Sequence, residues 1–364
     1  MKHLIIVIGN ELIINENYMR YIQEEYKKQF LELHELKFIS KPDKDLPFLL
    51  EKLSQKYKYI TIFSINEYYA TIAKIIATLN DDVLILENDT LVPSKATRVK
   101  NSFISSFKQC YINLLNTNIE TKLPQILQEP QLNYAYFCLL DIDEMSANIL
   151  LGTLTTSFDI QIKSSALLEN LICIRASASQ YGKLEGFLKG VFKLFTGKVF
   201  LGNDPIKFIA KKLLEKNLKI SFAESCTAGL CASKLAENSG ISSIFEGSLI
   251  TYSNRLKNSW LGVSNDTLES VSEYSDRCIY FMLKGTFKTT NCDFALAISG
   301  VAGEDDDKNT KAGTIYIGAM YKDGTFLQEC IHIQGNRNYT REQASLAAYS
   351  LMLKLKPEIF NNQT

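Results

Sequence analysis

Glycine is scarce in the first part of this chain. After Gly9 no glycine occurs until Gly152, whereas 11 of the 18 glycines lie between residues 203 and 364. A phosphate-binding loop made of backbone N–H groups depends on the conformational freedom of glycine. The absence therefore argues against such a loop before residue 152, and it indicates that the two ends of the chain are built differently.

Metal-binding patterns are also lacking. The eight cysteines contain no CxxC pair, and the three histidines, at positions 3, 34 and 332, stand far apart. Zinc sites need closely spaced ligands of these types. We therefore expect no metal site, and we interpret the thiols as reduced and mostly buried.

Long apolar runs and an excess of charge of either sign are absent. No stretch approaches the roughly 18 apolar residues of a membrane helix, and the run Leu4–Ile8 is too short for the core of a signal peptide. The 40 basic side chains balance the 40 acidic ones, so nothing draws the protein generally to nucleic acid or to an anionic membrane. We expect a cytoplasmic protein whose partner is neither nucleic acid nor membrane.

What is present describes an ordinary globular chain of several domains, with 46% apolar and 22% charged residues over 364 positions. Residues 1–125 alternate short β-type runs with charge-rich helical stretches, which indicates an α/β layer. Pro124 and Pro130 punctuate a linker. Residues 136–200 then form a smaller unit of strands and a helix.

A third unit, residues 203–358, opens at Asp204-Pro205, which fit the N-cap and first position of a helix ending near Asn217. Strands alternate with helices along it, which predicts a three-layer α/β fold with its site where strand ends meet helix starts. Thr340 and Gln343 fit a capping box for the last helix.

The segment Ala223–Gly229 lies between an apolar strand and an amphipathic helix. We expect Ser225 to lie at the helix N-terminus, where unpaired N–H groups such as those of Cys226 and Thr227 could stabilise an oxyanion. The alternative is that Ser225 only caps the helix, which is the commoner role of a serine in this position.

Three later segments of the same unit carry matching chemistry. The first, Tyr252 to Lys257, supplies a phenol and an amine, and a serine–lysine pair is a known alternative to the Ser-His-Asp triad. The second, Ser299 to Gly303, ends a strand with small residues that let backbone approach a ligand. In the third, Arg337 and Arg341 precede a helix and suit a phosphate. Each segment also has a plainer interpretation. Lys257 could be a solvated helix residue, Ser299 and Gly300 could form only a turn, and the two arginines could be surface charges.

The motifs AESCTAGL, GSLITYSNRLKNSWLGV, AISGVAG and GNRNYTR, in this order, resemble those of the CinA family, whose C-terminal domain is a nicotinamide-nucleotide amidase. The resemblance covers residues 203–358. It implies hydrolysis of nicotinamide mononucleotide to nicotinate mononucleotide and ammonia, with no cofactor or metal, by a homodimer.

The resemblance also implies roles for individual residues. Ser225 would be the nucleophile, and Lys257 and Tyr252 its activating partners. The substrate would be bound by Cys226, Thr227, Ser299, Gly300, Gly303, Arg337 and Arg341, the two arginines being candidates for the phosphate.

The chain departs from the family in two places. Ala228 stands where family members commonly carry glycine, a change we expect the helix to tolerate. The run Glu304–Asp307, followed by Lys308, replaces a Pro/Gly-rich turn. An acidic run facing the site would repel an anionic substrate, so we expect it to point to solvent.

The front of the chain resembles the family more weakly. Residues 1–125 are similar in layout to a molybdopterin-binding domain, and Gly9-Asn10-Glu11-Leu12 is similar to the family's opening motif. In many members this domain is a metal-dependent ADP-ribose pyrophosphatase, but without glycine we interpret it as degenerate. The unit 136–200 resembles a KH-like domain that lacks the GxxG loop.

Two other functions remain open. One is a nucleotide-binding regulatory module without turnover, which the acidic run and the missing glycine favour. The other is a competence-associated accessory protein, as the family's name suggests, although neutral charge and the missing GxxG loop argue against direct binding of nucleic acid.

Overall fold

A computed structural model describes residues 2–30, 33–87, 90–128, 133–178, 182–307 and 309–360. Pro130 of the predicted linker and Lys308 of the acidic run lie outside the described residues. The chain divides into two compact units, residues 1–132 and 133–364. Among the described residues, no helix combines the length and the apolar character needed to cross a membrane.

The first unit is an α/β layer, as predicted for residues 1–125. Its strands are β1 (His3–Ile8), β2 (Glu35–Ile39), β3 (Tyr59–Ile65), β4 (Leu84–Glu87), β5 (Thr90–Pro93), β6 (Thr97–Val99), β7 (Ser102–Phe107) and β8 (Cys110–Thr117), and its helices are α1 (Asn10–Ile14), α2 (Glu16–Gln29), α3 (Leu46–Lys56) and α4 (Asn66–Leu79).

Six of these strands form one sheet in the order β2-β1-β3-β8-β7-β6, while β4 and β5 form a separate hairpin. Alternate residues of β1 enter two cores: Ile6 packs with α3 and α4, and Val7 packs with α1 and α2. Strand β3 ends at Ile65 and α4 begins at Asn66, so no loop separates them.

The second unit contains two sheets. Its strands are β9 (Tyr134–Leu140), β10 (Ile160–Leu168), β11 (Leu171–Ala178), β12 (Val199–Leu201), β13 (Ile220–Glu224), β14 (Phe245–Ile250), β15 (Phe294–Gly300), β16 (Thr314–Tyr321) and β17 (Phe326–His332). Its helices are α5 (Glu144–Phe158), α6 (Lys183–Leu194), α7 (Pro205–Lys216), α8 (Leu230–Ala236), α9 (Asn254–Leu261), α10 (Asp276–Thr289), α11 (Arg337–Leu355) and α12 (Pro357–Phe360).

The smaller sheet, β10-β11-β9-β12, is antiparallel and packs against α5 and α6. Its opposite face contributes Cys138, Leu140, Leu171 and Phe200 to the core that surrounds α7 and α11. Residues 133–364 therefore share a core, although they contain two sheets.

The larger sheet, β14-β13-β15-β16-β17, is the centre of a three-layer α/β arrangement. Phe222 and Leu296 point towards α7, α8 and α11, whereas Ala223 and Ala297 point towards α9 and α10. This alternation confirms the mixed α/β fold. Strands β13, β14 and β15 are parallel, so their carboxyl ends lie at the same edge.

The helix ends confirm one prediction and correct two. Helix α7 begins after Asp204, whose side chain accepts from the N–H of Lys207. Helix α8 begins at Leu230, so Ser225 does not lie at its N-terminus as predicted. The predicted capping box of the last helix is wrong, because Asn336 caps α11 and Thr340 lies buried inside it. Arg337 and Arg341 are consequently part of the helix and do not precede it.

Candidate active site

A cavity of about 320 Å³ lies at the edge where β13, β14 and β15 end. Its walls come from all four sequence segments singled out above. They are formed by Ser225, Cys226, Tyr252, Asn254, Lys257, Glu273, Tyr274, Gly300, Val301, Ala302, Gly303, Asp305, Asp307 and Arg337.

Ser225 and Lys257 form the chemical centre of this cavity. The Lys257 amine donates to the Ser225 hydroxyl oxygen across 3.1 Å and to the Tyr252 carbonyl oxygen across 3.3 Å. Only 1% of Lys257 and 5% of Ser225 is exposed. Burial lowers the pKa of Lys257 from its ordinary value of 10.5 because desolvation disfavours the charged form. The pair therefore combines a hydroxyl with an amine suited to accept its proton.

The backbone that carries Ser225 is a turn and not a helix start. The Ser225 N–H donates to the Ile298 carbonyl at 2.9 Å, and the Ala228 N–H donates to the Ser225 carbonyl at 3.0 Å. In the described part of the chain, the N–H groups of Cys226 and Thr227 donate to no backbone carbonyl. Cys226 lines the cavity, so its N–H is the candidate donor to an oxyanion, whereas Thr227 is fully buried and does not line the cavity.

The N–H groups at the start of α8 are not free to bind a ligand in the cavity, because they already have an acceptor. The Glu224 carboxylate accepts from the N–H groups of Gly229, Cys231 and Ala232, at 2.9, 3.1 and 3.1 Å. The predicted contribution of the helix N-terminus to the site is therefore wrong, because a side chain of the protein already occupies it.

Cys226 lines the cavity but packs into the hydrophobic core with Cys231 and Leu235. It is 5% exposed, and burial raises the pKa of its thiol to about 12. A thiol in this environment stays protonated and is a poor nucleophile.

Tyr252 contacts Lys257 through its backbone carbonyl, as above, and not through its phenol. The phenol, on a side chain that is 55% exposed, accepts from Nη2 of Arg337 at 2.8 Å. The structure thus pairs the phenol with the candidate phosphate-binding arginine and leaves the amine of Lys257 to Ser225.

Three predicted site residues lie behind the cavity walls. The Ser299 hydroxyl is buried and donates to the Glu273 carbonyl at 2.8 Å. Nη2 of Arg341 donates to the Thr227 carbonyl at 2.7 Å. Ser299 and Arg341 therefore hold the segments that carry lining residues. Thr227, the third of these residues, has a fully buried side chain.

The two glycines of the AISGVAG loop differ in what they require. A Cβ on Gly300 would lie 2.4 Å from the Thr314 carbonyl oxygen, so only glycine lets the end of β15 approach β16 this closely. A Cβ on Gly303 would meet nothing closer than 3.7 Å, where Nη1 of Arg337 lies.

Sequence reasoning missed the acidic part of the cavity. Asp305 and Asp307 line it, so the expectation that the run 304–307 points away to solvent is wrong for these two residues. Tyr274 donates to Oδ2 of Asp307 at 2.6 Å, and burial together with this bond raises the pKa of Tyr274. Glu273 and Asn254 also line the cavity. Asn254 lies within the segment Tyr252 to Lys257 but was given no role, whereas no motif marked Glu273 or Tyr274 in advance.

Within the described ranges, no three His, Cys, Asp or Glu side chains are grouped so that they could hold a metal ion. The fold and the site define a three-layer α/β domain with a buried serine–lysine pair. The family model described as "CinA C-terminal domain" matches residues 203–356, so this segment belongs to the CinA family.

Curated relatives carry the family's name. A "CinA-like protein" of Pseudothermotoga lettingae is 31% identical over 251 residues, which is 66% of this chain and 60% of the relative. One from Fervidobacterium nodosum is 36% identical over 141 residues, or 38% of this chain and 34% of the relative. A "Putative competence-damage inducible protein" of Acetivibrio thermocellus is 36% identical over 152 residues, or 40% and 37%. The chain thus spans between about a third and three fifths of these relatives' lengths.

A solved structure is similar to part of the chain. It is the competence/damage inducible protein CihA from Agrobacterium tumefaciens, which is 26% identical. The match covers 43% of this chain and 99% of that one, with a TM-score of 0.40.

Proposed function

We propose that this chain hydrolyses the carboxamide of nicotinamide mononucleotide to nicotinate mononucleotide and ammonia, with Ser225 as nucleophile. The observation that supports the proposal most is the buried 3.1 Å contact between Lys257 and Ser225 at the floor of a cavity. A serine hydroxyl needs a nearby base to become a nucleophile, and a desolvated lysine amine is such a base.

The reaction follows from this geometry. Neutral Lys257 takes the Ser225 proton while the serine oxygen bonds to the carboxamide carbon, and the N–H of Cys226, which lines the cavity, stabilises the resulting oxyanion. The tetrahedral intermediate collapses, its C–N bond breaks, and protonated Lys257 gives its proton to the leaving ammonia. Water, deprotonated by Lys257, then attacks the acyl-serine and releases the carboxylate and the free serine.

The charges of the cavity suit the two ends of this nucleotide. Its pyridine ring, alkylated on nitrogen, is a cation, and its phosphate is an anion. Asp305 and Asp307 offer carboxylates to the ring, while Arg337 offers a guanidinium to the phosphate. An uncharged ring would lack the first of these attractions.

A nucleotide-binding module without turnover is the second candidate. The observation that favours it is the same pair of carboxylates, because repulsion between them and the phosphate would hinder a productive position of the carboxamide at Ser225.

The deciding experiment is ammonia release from nicotinamide mononucleotide by the full-length chain. Wild type should turn over, and Ser225→Ala and Lys257→Met should each lose at least roughly three orders of magnitude in kcat. Ser221→Ala is the matched control, since Ser221 is equally buried on β13 but does not line the cavity. Nucleotide binding measured by calorimetry without ammonia release would favour the second candidate.

A further inference from the structure

Glu224 is a fully buried carboxylate directly before Ser225, at the end of β13. Its four contacts are all hydrogen-bond donors. Oε2 accepts from the N–H groups of Gly229 and Cys231, at 2.9 and 3.1 Å, and Oε1 accepts from the N–H of Ala232 at 3.1 Å and the hydroxyl of Ser248 at 2.8 Å. Both oxygens accept from backbone N–H groups, and Oε1 also accepts from a hydroxyl.

These bonds close a loop around Ser225. The loop leaves β13 at Glu224 and returns to the same side chain at Gly229, so residues 225–228 are held between a residue and its own carboxylate. The loop is not relaxed at Ala228, whose φ is 50°. A non-glycine residue in this left-handed region costs about 1 kcal/mol or more, and the buried bonds of Glu224 offset that cost.

The same bonds connect the loop to the neighbouring strand. Ser248 lies on β14, whose end leads through Tyr252 to Lys257 on α9. Glu224 thus ties the segment that carries Ser225 to the segment that carries Lys257.

We infer that Glu224 is a positioning residue, which keeps Ser225 in hydrogen-bond reach of Lys257 by fixing the conformation of residues 225–229. The expected effect of Glu224 on turnover rests on the proposed function, whereas its expected effect on the position of Ser225 does not. Its role is geometric, since the carboxylate reaches neither the amine of Lys257 nor the hydroxyl of Ser225 among the contacts of the structure.

Glu224→Gln is the test variant, because the amide is isosteric but turns an NH₂ group towards one pair of donors. Glu237→Gln is the matched control, since it makes the same substitution directly after α8, where Glu237 is exposed and does not line the cavity. In the full-length protein Glu224→Gln should lower kcat for nicotinamide mononucleotide by about 100-fold with less than a threefold change in KM. Glu237→Gln should stay within about threefold of wild type in both constants.

A second measurement needs no nicotinamide substrate. The rate at which a fluorophosphonate labels Ser225, found by peptide mass spectrometry, should fall in Glu224→Gln as kcat does. Slower labelling of Ser225 in Glu224→Gln would support the positioning role even if wild type releases no ammonia. The lack of ammonia release would count against the proposed function alone. Unchanged labelling and turnover in a folded Glu224→Gln protein would overturn the positioning role, and so would a wild-type Ser225 that neither reacts with the probe nor turns over substrate.

Glu224→Asp keeps the test decisive if the glutamine variant does not fold. It preserves the charge but withdraws the carboxylate by one methylene from the N–H groups. We expect the same loss of labelling as in Glu224→Gln. Full labelling by Glu224→Asp would show that charge alone matters and that the fixed loop does not.

Discussion

Arg337 donates a hydrogen bond to the hydroxyl of Tyr252 across 2.8 Å and joins the first turn of α11 to the loop after β14. The phenol that the sequence motif associates with proton transfer is therefore paired with a guanidinium. Lys257, in contrast, meets Tyr252 only at its backbone carbonyl among the hydrogen bonds of the described residues.

Tyr252→Phe should accordingly leave kcat within about threefold of wild type, because it removes no contact of the serine–lysine pair. Arg337→Ala should raise KM for nicotinamide mononucleotide by roughly 10- to 100-fold, the range expected when a charge-assisted bond to a phosphate is lost. Steady-state kinetics of both variants would measure this. A 100-fold loss of kcat in Tyr252→Phe would instead assign the phenol to proton transfer.

Lys257→Met should abolish turnover and stabilise the fold below the ordinary lysine pKa. The folded-state pKa of Lys257 lies below the unfolded value of 10.5, so the unfolded chain binds the extra proton. Wild type therefore loses stability as pH falls from about 10.5 to the folded pKa, by about 1.4 kcal/mol per unit of pKa difference. The methionine variant has no such dependence.

Urea unfolding at a series of pH values between about 6 and 10 measures how the free energies of unfolding of wild type and variant differ. The advantage of Lys257→Met should shrink as pH rises, whereas Lys288→Met, at an exposed position of α10, should show no trend. An advantage that is constant or grows with pH would contradict a depressed pKa of Lys257.

Ala228→Gly should stabilise the protein, by up to about 1.6 kcal/mol. The residue has a φ of 50°, where glycine avoids the left-handed penalty of about 1–2 kcal/mol but costs about 0.4–1 kcal/mol in unfolded-state entropy. Ala236→Gly within α8 is the control, and there the usual helical penalty should destabilise. A destabilised Ala228→Gly protein in thermal unfolding would show that the turn is not strained.

The order of elements in residues 203–358 could be predicted because the apolar period of each segment matches its strand or helix. The common edge of β13, β14 and β15 followed from their alternation with helices, which makes strands parallel. Ser225 and Lys257 were therefore expected near each other, although 32 positions separate them.

The ends of the helices could not be predicted in the same way, because they depend on single side-chain contacts. Glu224 competes for the N–H groups that would otherwise extend α8 towards Ser225. Asn336 caps α11 by accepting from the N–H of Tyr339, so Thr340 is not the cap. The direction of the acidic run depends on the bond from Tyr274 to Asp307, which joins positions 33 apart.

The adjacent residues Ser225 and Cys226 are rival nucleophiles, and the structure separates them. Ser225→Ala should abolish turnover, while Cys226→Ala should change it little because the buried thiol, with its pKa raised to about 12, stays protonated. Iodoacetamide should alkylate the exposed Cys330 without loss of activity. Inactivation in step with labelling of Cys226, or an active Ser225→Ala protein, would replace the serine mechanism by a cysteine one.

The last prediction concerns the carboxylates of Asp305 and Asp307, which line the cavity with Arg337. If they face the cationic ring, Asp305→Asn and Asp307→Asn together should raise KM for nicotinamide mononucleotide by roughly tenfold, since each close charge pair contributes on the order of 1 kcal/mol. The Tyr274 bond survives in Asp307→Asn because the amide oxygen still accepts.

A matched control and a second substrate distinguish attraction between the carboxylates and the ring from repulsion between the carboxylates and the phosphate. Asp306→Asn lies in the same run but accepts from the N–H of Ala312 and does not line the cavity, so it should behave as wild type. The dihydro form of the nucleotide has the same phosphate and an uncharged ring. It should be a poor substrate of wild type and lose nothing further in the double variant. A lower KM for both nucleotides in the double variant would show instead that the carboxylates repel the phosphate.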